Sequence, residues 1–155
     1  MANSEPDFAP NSAQSSKTKP TKIVLLTHGG WGTQLVKSLE MILGKIDCVH
    51  EIVLEPSFTM PEYLGMVRSY ADTISEDSLI ITDLFGGTPS NVGAAVGNQT
   101  GIRVFCGLNA PMLLEAAMEL QNGGALDFDT ILAAGTGACK DVVAEVKASM
   151  NSEGR

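Results

Sequence analysis

The stretch Leu79-Ile80-Ile81-Thr82-Asp83-Leu84-Phe85-Gly86-Gly87-Thr88-Pro89-Ser90-Asn91 decides how the chain folds. Its first residues are a short apolar run, as expected for a strand buried on both faces. Thr88 is a favoured N-cap residue and Pro89 suits the first helical position. The stretch is therefore a strand-to-helix turn with a carboxylate, Asp83, at the strand's end and two glycines in the turn. The start of a helix offers unpaired backbone N–H groups and a positive dipole end, a natural seat for phosphate. A second turn of this kind, Thr27-His28-Gly29-Gly30-Trp31-Gly32, follows the apolar run Ile23-Val24-Leu25-Leu26.

Outward from these two turns, strands and helices alternate. Residues 23–26, 49–54, 78–83 and 102–108 read as strands. Leu35, Leu39, Ile42 and Leu43 repeat at helical spacing, and Gly44 closes that helix. A helix starting near Met60 and Pro61 carries Leu64, Val67, Ala71 and Ile74 on its apolar face. The helix after the glycine turn carries Val92, Ala95 and Val96 and ends near Gly101. Asn109 is expected to cap a further helix, with Pro111 in its first turn, running to about Leu120. Asp129 is expected to cap a short helix over 130–134, and Gly135-Thr136-Gly137 reads as a turn. Val142, Val143, Val146 and Met150 mark a last helix.

This alternation predicts a single-domain, three-layer α/β/α fold with a mainly parallel sheet. Right-handed crossovers with one reversal give the strand order 2-1-3-4, to which a C-terminal edge strand is an optional addition. In that order strands 1 and 3 are neighbours whose exits diverge to opposite faces. The crevice between such strands is where ligands bind in these folds. His28 leaves strand 1 there, and Asp83 ends strand 3 there.

Composition limits the function classes. The chain has 155 residues, with 44% hydrophobic and 18% charged, enough for one domain with a core. Residues 1–20, rich in Ser, Pro, Asn, Lys and Thr, read as a disordered tail. The domain is expected over residues 21–150, with 151–155 frayed. A net charge of −8 argues against a nucleic-acid surface. No run is long enough to span a bilayer, so direct membrane insertion is not expected. The three cysteines, Cys48, Cys106 and Cys139, match neither a disulfide framework nor a metal knuckle. They read as reduced residues of a cytoplasmic protein, with Cys106 in the core. No metal or cofactor is called for, and no Walker loop signals ATP use.

The two turns together can carry phosphoryl chemistry. A neutral imidazole has one N–H and one bare nitrogen. If Asp83 accepts from Nδ1–H of His28, the bare Nε2 points outward as a nucleophile, and the carboxylate steadies the ring as charge develops. Small residues around the ring (Gly29, Gly30, Gly86 and Gly87) leave room for a phosphate and a protein donor. The N–H groups of Gly87 and Thr88 and the Thr88 hydroxyl are candidate ligands for phosphoryl oxygens, with Gly86 in the same turn. Positioning and charge stabilisation are most of what phosphoryl transfer needs. Structural alternatives stand beside this: a histidine at a strand end and an Asp before Gly-Gly are each common as turn formers. His50 reads as structural, Trp31 as either a binding aromatic or a lid on the core, and Met60, Met66, Met112 and Met118 as packing.

Thr27-His28-Gly29, Asp83-Leu84-Phe85-Gly86-Gly87-Thr88-Pro89-Ser90-Asn91 and Gly107-Leu108-Asn109-Ala110-Pro111-Met112-Leu113 resemble signature stretches of the mannose-type enzyme IIA of the bacterial phosphotransferase system. The resemblance covers about residues 21–150. It implies a cytoplasmic phosphotransferase component. That component takes a phosphoryl group from phospho-HPr onto His28 and passes it to a histidine of enzyme IIB, for sugar uptake through the membrane components IIC and IID. It also implies that Asp83 is the acidic partner of His28, that Thr88 lines the site, and that the protein is a homodimer. Some family members exchange a C-terminal strand, and no strand pattern follows Met150 here. The alternatives are the phosphoryl-donor subunit of a dihydroxyacetone kinase, a non-catalytic IIA-like regulatory module, or a flavodoxin-like ligand-binding module.

Overall fold

The computed structural model describes residues 18–153. Most of the expected tail, residues 1–17, lies outside them. Pro20 is already tied to the body, because its carbonyl accepts from the Ser75 N–H at 2.9 Å. The element order is β1 (Ile23–His28), α1 (Trp31–Leu43), β2 (Val49–Leu54), α2 (Met60–Ala71), β3 (Leu79–Thr82), α3 (Thr88–Thr100), β4 (Arg103–Cys106), α4 (Ala110–Gln121), α5 (Phe128–Thr136) and α6 (Val142–Glu153).

The four strands form one sheet in the order β2-β1-β3-β4, and every pairing is parallel. This is the predicted α/β fold and strand order. Among the described residues no fifth strand joins the sheet, and the last element is the helix α6. Side chains alternate across β1, and each set fills a separate core. Ile23 and Leu25 pack with Leu39 of α1, Leu113 and Ala117 of α4 and Ile131 of α5. Val24 and Leu26 pack with Tyr63 and Val67 of α2 and Val92 and Val96 of α3. The sheet is thus covered on both faces, which is why its strands are continuously apolar.

This layering places the site. β1 exits to α1 on one face and β3 exits to α3 on the other, while Leu26 and Thr82 sit side by side in the register. The crevice opens between the two exits. α3 lies close against β4 because residue 97 is glycine: a Cβ there would come within 2.5 Å of Val104 and 2.8 Å of the Ile102 carbonyl oxygen.

The helix ends depart from the predicted ones in four places, the first being α2, which ends at Ala71 so that Ile74 lies beyond it. Gly87, not Thr88, is the N-cap of α3, and Thr88 is its first helical residue. Asp127, not Asp129, caps α5, its Oδ1 accepting from the N–H groups of Asp129 and Thr130 at 3.1 Å each. Gly135 and Thr136 belong to the last turn of that helix, and Gly137 is its C-cap. Asn109 caps α4 as its spacing predicts, accepting from Met112 N–H at 3.1 Å.

Candidate functional site

His28 is the last residue of β1, and the two residues after it are glycines in the left-handed region, with φ of 65° and 76°. The chain therefore reverses at once into α1. By the alternation of the strand, the ring lies on the α2/α3 face. Asp83 directly follows β3. Its Oδ2 accepts from the His28 backbone N–H at 2.7 Å and lies 2.9 Å from the ring Nδ1. Its Oδ1 accepts from Leu84 N–H at 2.7 Å. The Asp83 side chain is 3% exposed, while that of His28 is 45% exposed. One carboxylate thus fixes the backbone and the ring of His28 from beneath.

With Oδ2 ionised, Nδ1 is the nitrogen that carries the proton, and Nε2 is left bare. Nε2 is turned toward α3: a Cβ on Gly87 would lie 3.0 Å from Cε1 and 3.5 Å from Nε2 of His28. Gly87 has φ −75°, which any residue adopts. Its glycine is required by the approach of the ring, not by the backbone. Gly86, with φ 81°, is the one that needs glycine's conformational freedom.

The missing Gly87 side chain has a second effect. α3 has no side-chain cap. Among the described residues, the N–H groups of Gly87, Thr88 and Ser90 take no hydrogen bond, whereas Asn91 N–H returns to the Gly87 carbonyl at 3.0 Å. These donors stand at the positive end of the helix, beside the ring. Thr88 and His28 together line an open cleft of about 310 Å³, completed by Gly29, Leu54, Glu55, Pro56, Phe58 and Met60. The sequence-derived residues His28, Asp83, Gly86, Gly87 and Thr88 are therefore brought together around the crevice.

Leu84 and Phe85, at the tip of the same turn, are 64% and 92% exposed. Trp31, at the start of α1, is 41% exposed. Met112 is buried, and Met60, Met66 and Met118 are partly exposed. Cys106 is half-buried, not fully in the core, and all three cysteines are free. His50 lies away from the crevice, stacked on Tyr70 with 4.1 Å between ring centres.

One residue of the site is not evident from the motifs. Glu51 of β2 reaches across to the start of α1, where Gly32 and Thr33 donate their N–H groups at 2.8 and 2.7 Å. The Thr33 hydroxyl donates at 2.5 Å, and the Thr27 hydroxyl donates to the same carboxylate. The available signal is a lone acid inside the apolar strand Val49–Leu54.

Both carboxylates ionise more readily than usual. Burial pushes the Asp83 carboxyl up, but the His28 N–H, the His28 ring and the Leu84 N–H together outweigh it and hold it below its ordinary value. Burial likewise pushes Glu51 up, and its hydroxyl and amide donors hold it below its ordinary value. Folding therefore favours the ionised forms. Their stabilisation is complete above the ordinary carboxylate range and is lost as pH falls through that range and then through the lowered folded values. From about pH 7 to about pH 5 the thermal unfolding midpoint should fall only as far as His50, whose proton affinity burial lowers, takes it, and below that it should drop more steeply as the two carboxylates take up protons. Asp83→Asn should shallow the acid drop. A midpoint that rises on acidification would contradict this reading of the two carboxylates.

Among the described residues no group of three or more His, Cys, Asp or Glu side chains is placed to hold a metal, and no helix is long and apolar enough to cross a membrane.

Comparison with known proteins gives consistent matches. The family model EIIA-man, described as the PTS system fructose IIA component, matches residues 22–131. The mannose-specific EIIAB component of the same system from Escherichia coli (strain K12) is 33% identical over 119 residues, covering 74% of this chain and 36% of that protein. The chain thus spans little more than a third of that relative's length. The sorbose-specific EIIA component of Lacticaseibacillus casei is 32% identical over 103 residues, covering 65% of this chain and 75% of that one. The crystal structure of the phosphotransferase system component EIIA from Streptococcus agalactiae superposes with a TM-score of 0.71 at 26% identity, covering 80% of this chain and 98% of that one.

Proposed function

The chain belongs to the mannose-type IIA family of the phosphotransferase system, and from that premise we propose that it is a phosphohistidine carrier with His28 as its phosphoryl acceptor. The observation that carries this reading is the ring held at Nδ1 by Asp83, 2.9 Å away, with its other nitrogen open to the cleft. In the proposed step Nε2 attacks the phosphorus of a phosphohistidine on the donor, HPr. The new Nε2–P bond forms as the donor's N–P bond breaks. The His28 ring gains positive charge, which the Asp83 carboxylate offsets across Nδ1–H. The phosphoryl oxygens lie against the free N–H groups of Gly87 and Thr88 and the Thr88 hydroxyl, with Gly86 setting the turn. The reverse exchange delivers the group to a histidine of enzyme IIB, and so to sugar uptake by the membrane components IIC and IID.

The exposed Leu84 and Phe85, on the turn that follows Asp83, offer apolar contact to a docking protein. A cytoplasmic location suits exchange with HPr. The homodimer that the family implies has a surface to use, because Val142, Val143, Val146 and Met150 of α6 are all exposed.

Incubation with enzyme I, HPr and phosphoenolpyruvate tests this function. The expected product is one added phosphoryl group that is lost in acid and stable in base, as a phosphohistidine is. Transfer onward to enzyme IIB, and not to the nucleotide-binding subunit of a dihydroxyacetone kinase, is expected. A chain that stays unmodified, or that gives its phosphate only to the kinase subunit, would contradict the proposed role.

A further inference from the structure

We propose that Glu51 is a positioning residue for His28, the second of two carboxylates that clamp the turn bearing the reactive ring. The proposal rests on the carrier role just given. The turn from Thr27 to Thr33 contains His28 and both left-handed glycines, and it is bracketed by the donors that Glu51 collects. The Thr27 hydroxyl, one residue before His28, reaches the Glu51 carboxylate, as do the N–H groups of Gly32 and Thr33 and the Thr33 hydroxyl. A single side chain on the neighbouring strand therefore ties both ends of the turn.

α1 has a structural need for this. Its N-cap is Gly30, which has no side chain, and its first turn contains no acid. Glu51 supplies from another strand both the hydrogen-bond acceptor and the negative charge that a helix N-terminus favours. The fit is tight: a Cβ on Gly32 would meet the Glu51 carboxylate at 2.6 Å. Register explains the reach. Glu51 pairs with Leu25, whose side chain packs on the α1 face, and Thr27 lies on that face too.

The two acids divide the task. Asp83 works from β3 and holds the His28 N–H and Nδ1. Glu51 works from β2 and holds the chain on either side of His28. Between these ties the Gly29 N–H donates to the Leu54 carbonyl at 3.3 Å. Glu51 lies on the face opposite the ring, so it touches neither the imidazole nor a phosphoryl group bound to it. It acts through backbone position alone. Small displacements of a reacting group are costly: a misplacement of about 1 Å can lower a rate by about a hundredfold.

Glu51→Gln is the informative change. The amide keeps the volume but turns an N–H₂ group toward donors that an oxygen now satisfies, so one end of the turn is released. Two readings are taken on the full chain. The first is the nitrogen NMR spectrum of the His28 ring without phosphate. The second is the rate of phosphoryl uptake from phospho-HPr.

In the wild type the ring should show a single neutral tautomer with Nδ1 protonated. In Glu51→Gln it should show a mixture, and kcat should fall by about tenfold or more with KM within about twofold. Loss of thermal stability alone, with the ring spectrum unchanged, would mean a purely structural role and would overturn the proposal. So would uptake within about twofold of wild type in kcat. If Glu51→Gln fails to fold, Thr27→Val and Thr33→Val remove the hydroxyl donors while keeping the carboxylate, and both readings apply to them. A wild type that takes no phosphate, beside a Glu51→Gln chain whose ring spectrum shifts, would remove the carrier role and leave the positioning role standing.

Discussion

Replacing His28 by alanine is expected to abolish phosphoryl uptake while leaving the fold in place. Among the described residues of the crevice, the His28 ring is the nucleophile with a carboxylate beneath it. Asp83 would lose the Nδ1 donor but keep two others, the residue 28 backbone N–H and the Leu84 N–H. The His28 side chain is 45% exposed, so little apolar packing goes with it. The stability cost should be at most about 1–3 kcal/mol, that of one hydrogen bond to a charged group. The chain's other histidine, His50, cannot substitute. It is stacked on Tyr70, and burial lowers its affinity for a proton. Intact mass after incubation with enzyme I, HPr and phosphoenolpyruvate should show no modified protein. A His28→Ala chain that still gains an acid-labile phosphate would place the acceptor elsewhere.

Asp83→Asn is expected to cut the rate of transfer by about a hundredfold or more, chiefly in kcat. The carboxylate accepts three donors on two oxygens, and an asparagine has one oxygen to offer. If that oxygen stays with His28, the new N–H₂ faces the Leu84 N–H, donor against donor. If the amide flips, its N–H₂ donates to Nδ1, which forces the proton onto Nε2 and blocks the attacking atom. In either orientation the charge that offsets a cationic ring is gone. KM for phospho-HPr should hardly move, because a side chain 3% exposed cannot touch a docked protein. Stopped-flow or quench-flow transfer kinetics separate the two constants. A large rise in KM with kcat unchanged would assign Asp83 to docking instead of to the ring.

Much of this arrangement is legible before any coordinates. Ile23 to Leu26 and Leu79 to Ile81 are apolar on both alternating sets, and only a sheet covered on both faces buries them all. Once the strands are parallel, chain order and handedness put the ends of β1 and β3 side by side. His28 and Asp83 then meet from topology alone. What stays hidden is set by contacts between distant parts of the chain. Thr88 obeys the local rule for an N-cap, yet the cap falls on Gly87, where the approach of the ring leaves no room for a Cβ. Asp127 displaces Asp129 as a cap because the chain is already extended at 127, so that its side chain can turn back onto the next N–H groups. Glu51 is the residue that local pattern hides most completely. A charge inside a strand is normally read as an outward-facing residue. Its four donors come from the end of β1 and the first turn of α1, and no local pattern around residue 51 points to them.

Phosphoryl carriage by this chain depends above all on which atom of which residue bonds phosphorus. Phosphorus NMR of the full chain, with nitrogen-15 in its histidines and loaded from phospho-HPr, reads that bond directly through phosphorus–nitrogen coupling. Because Asp83 occupies Nδ1, the coupling is expected to Nε2 of His28. Coupling to Nδ1 of His28, to either nitrogen of His50, or to no histidine at all would contradict it.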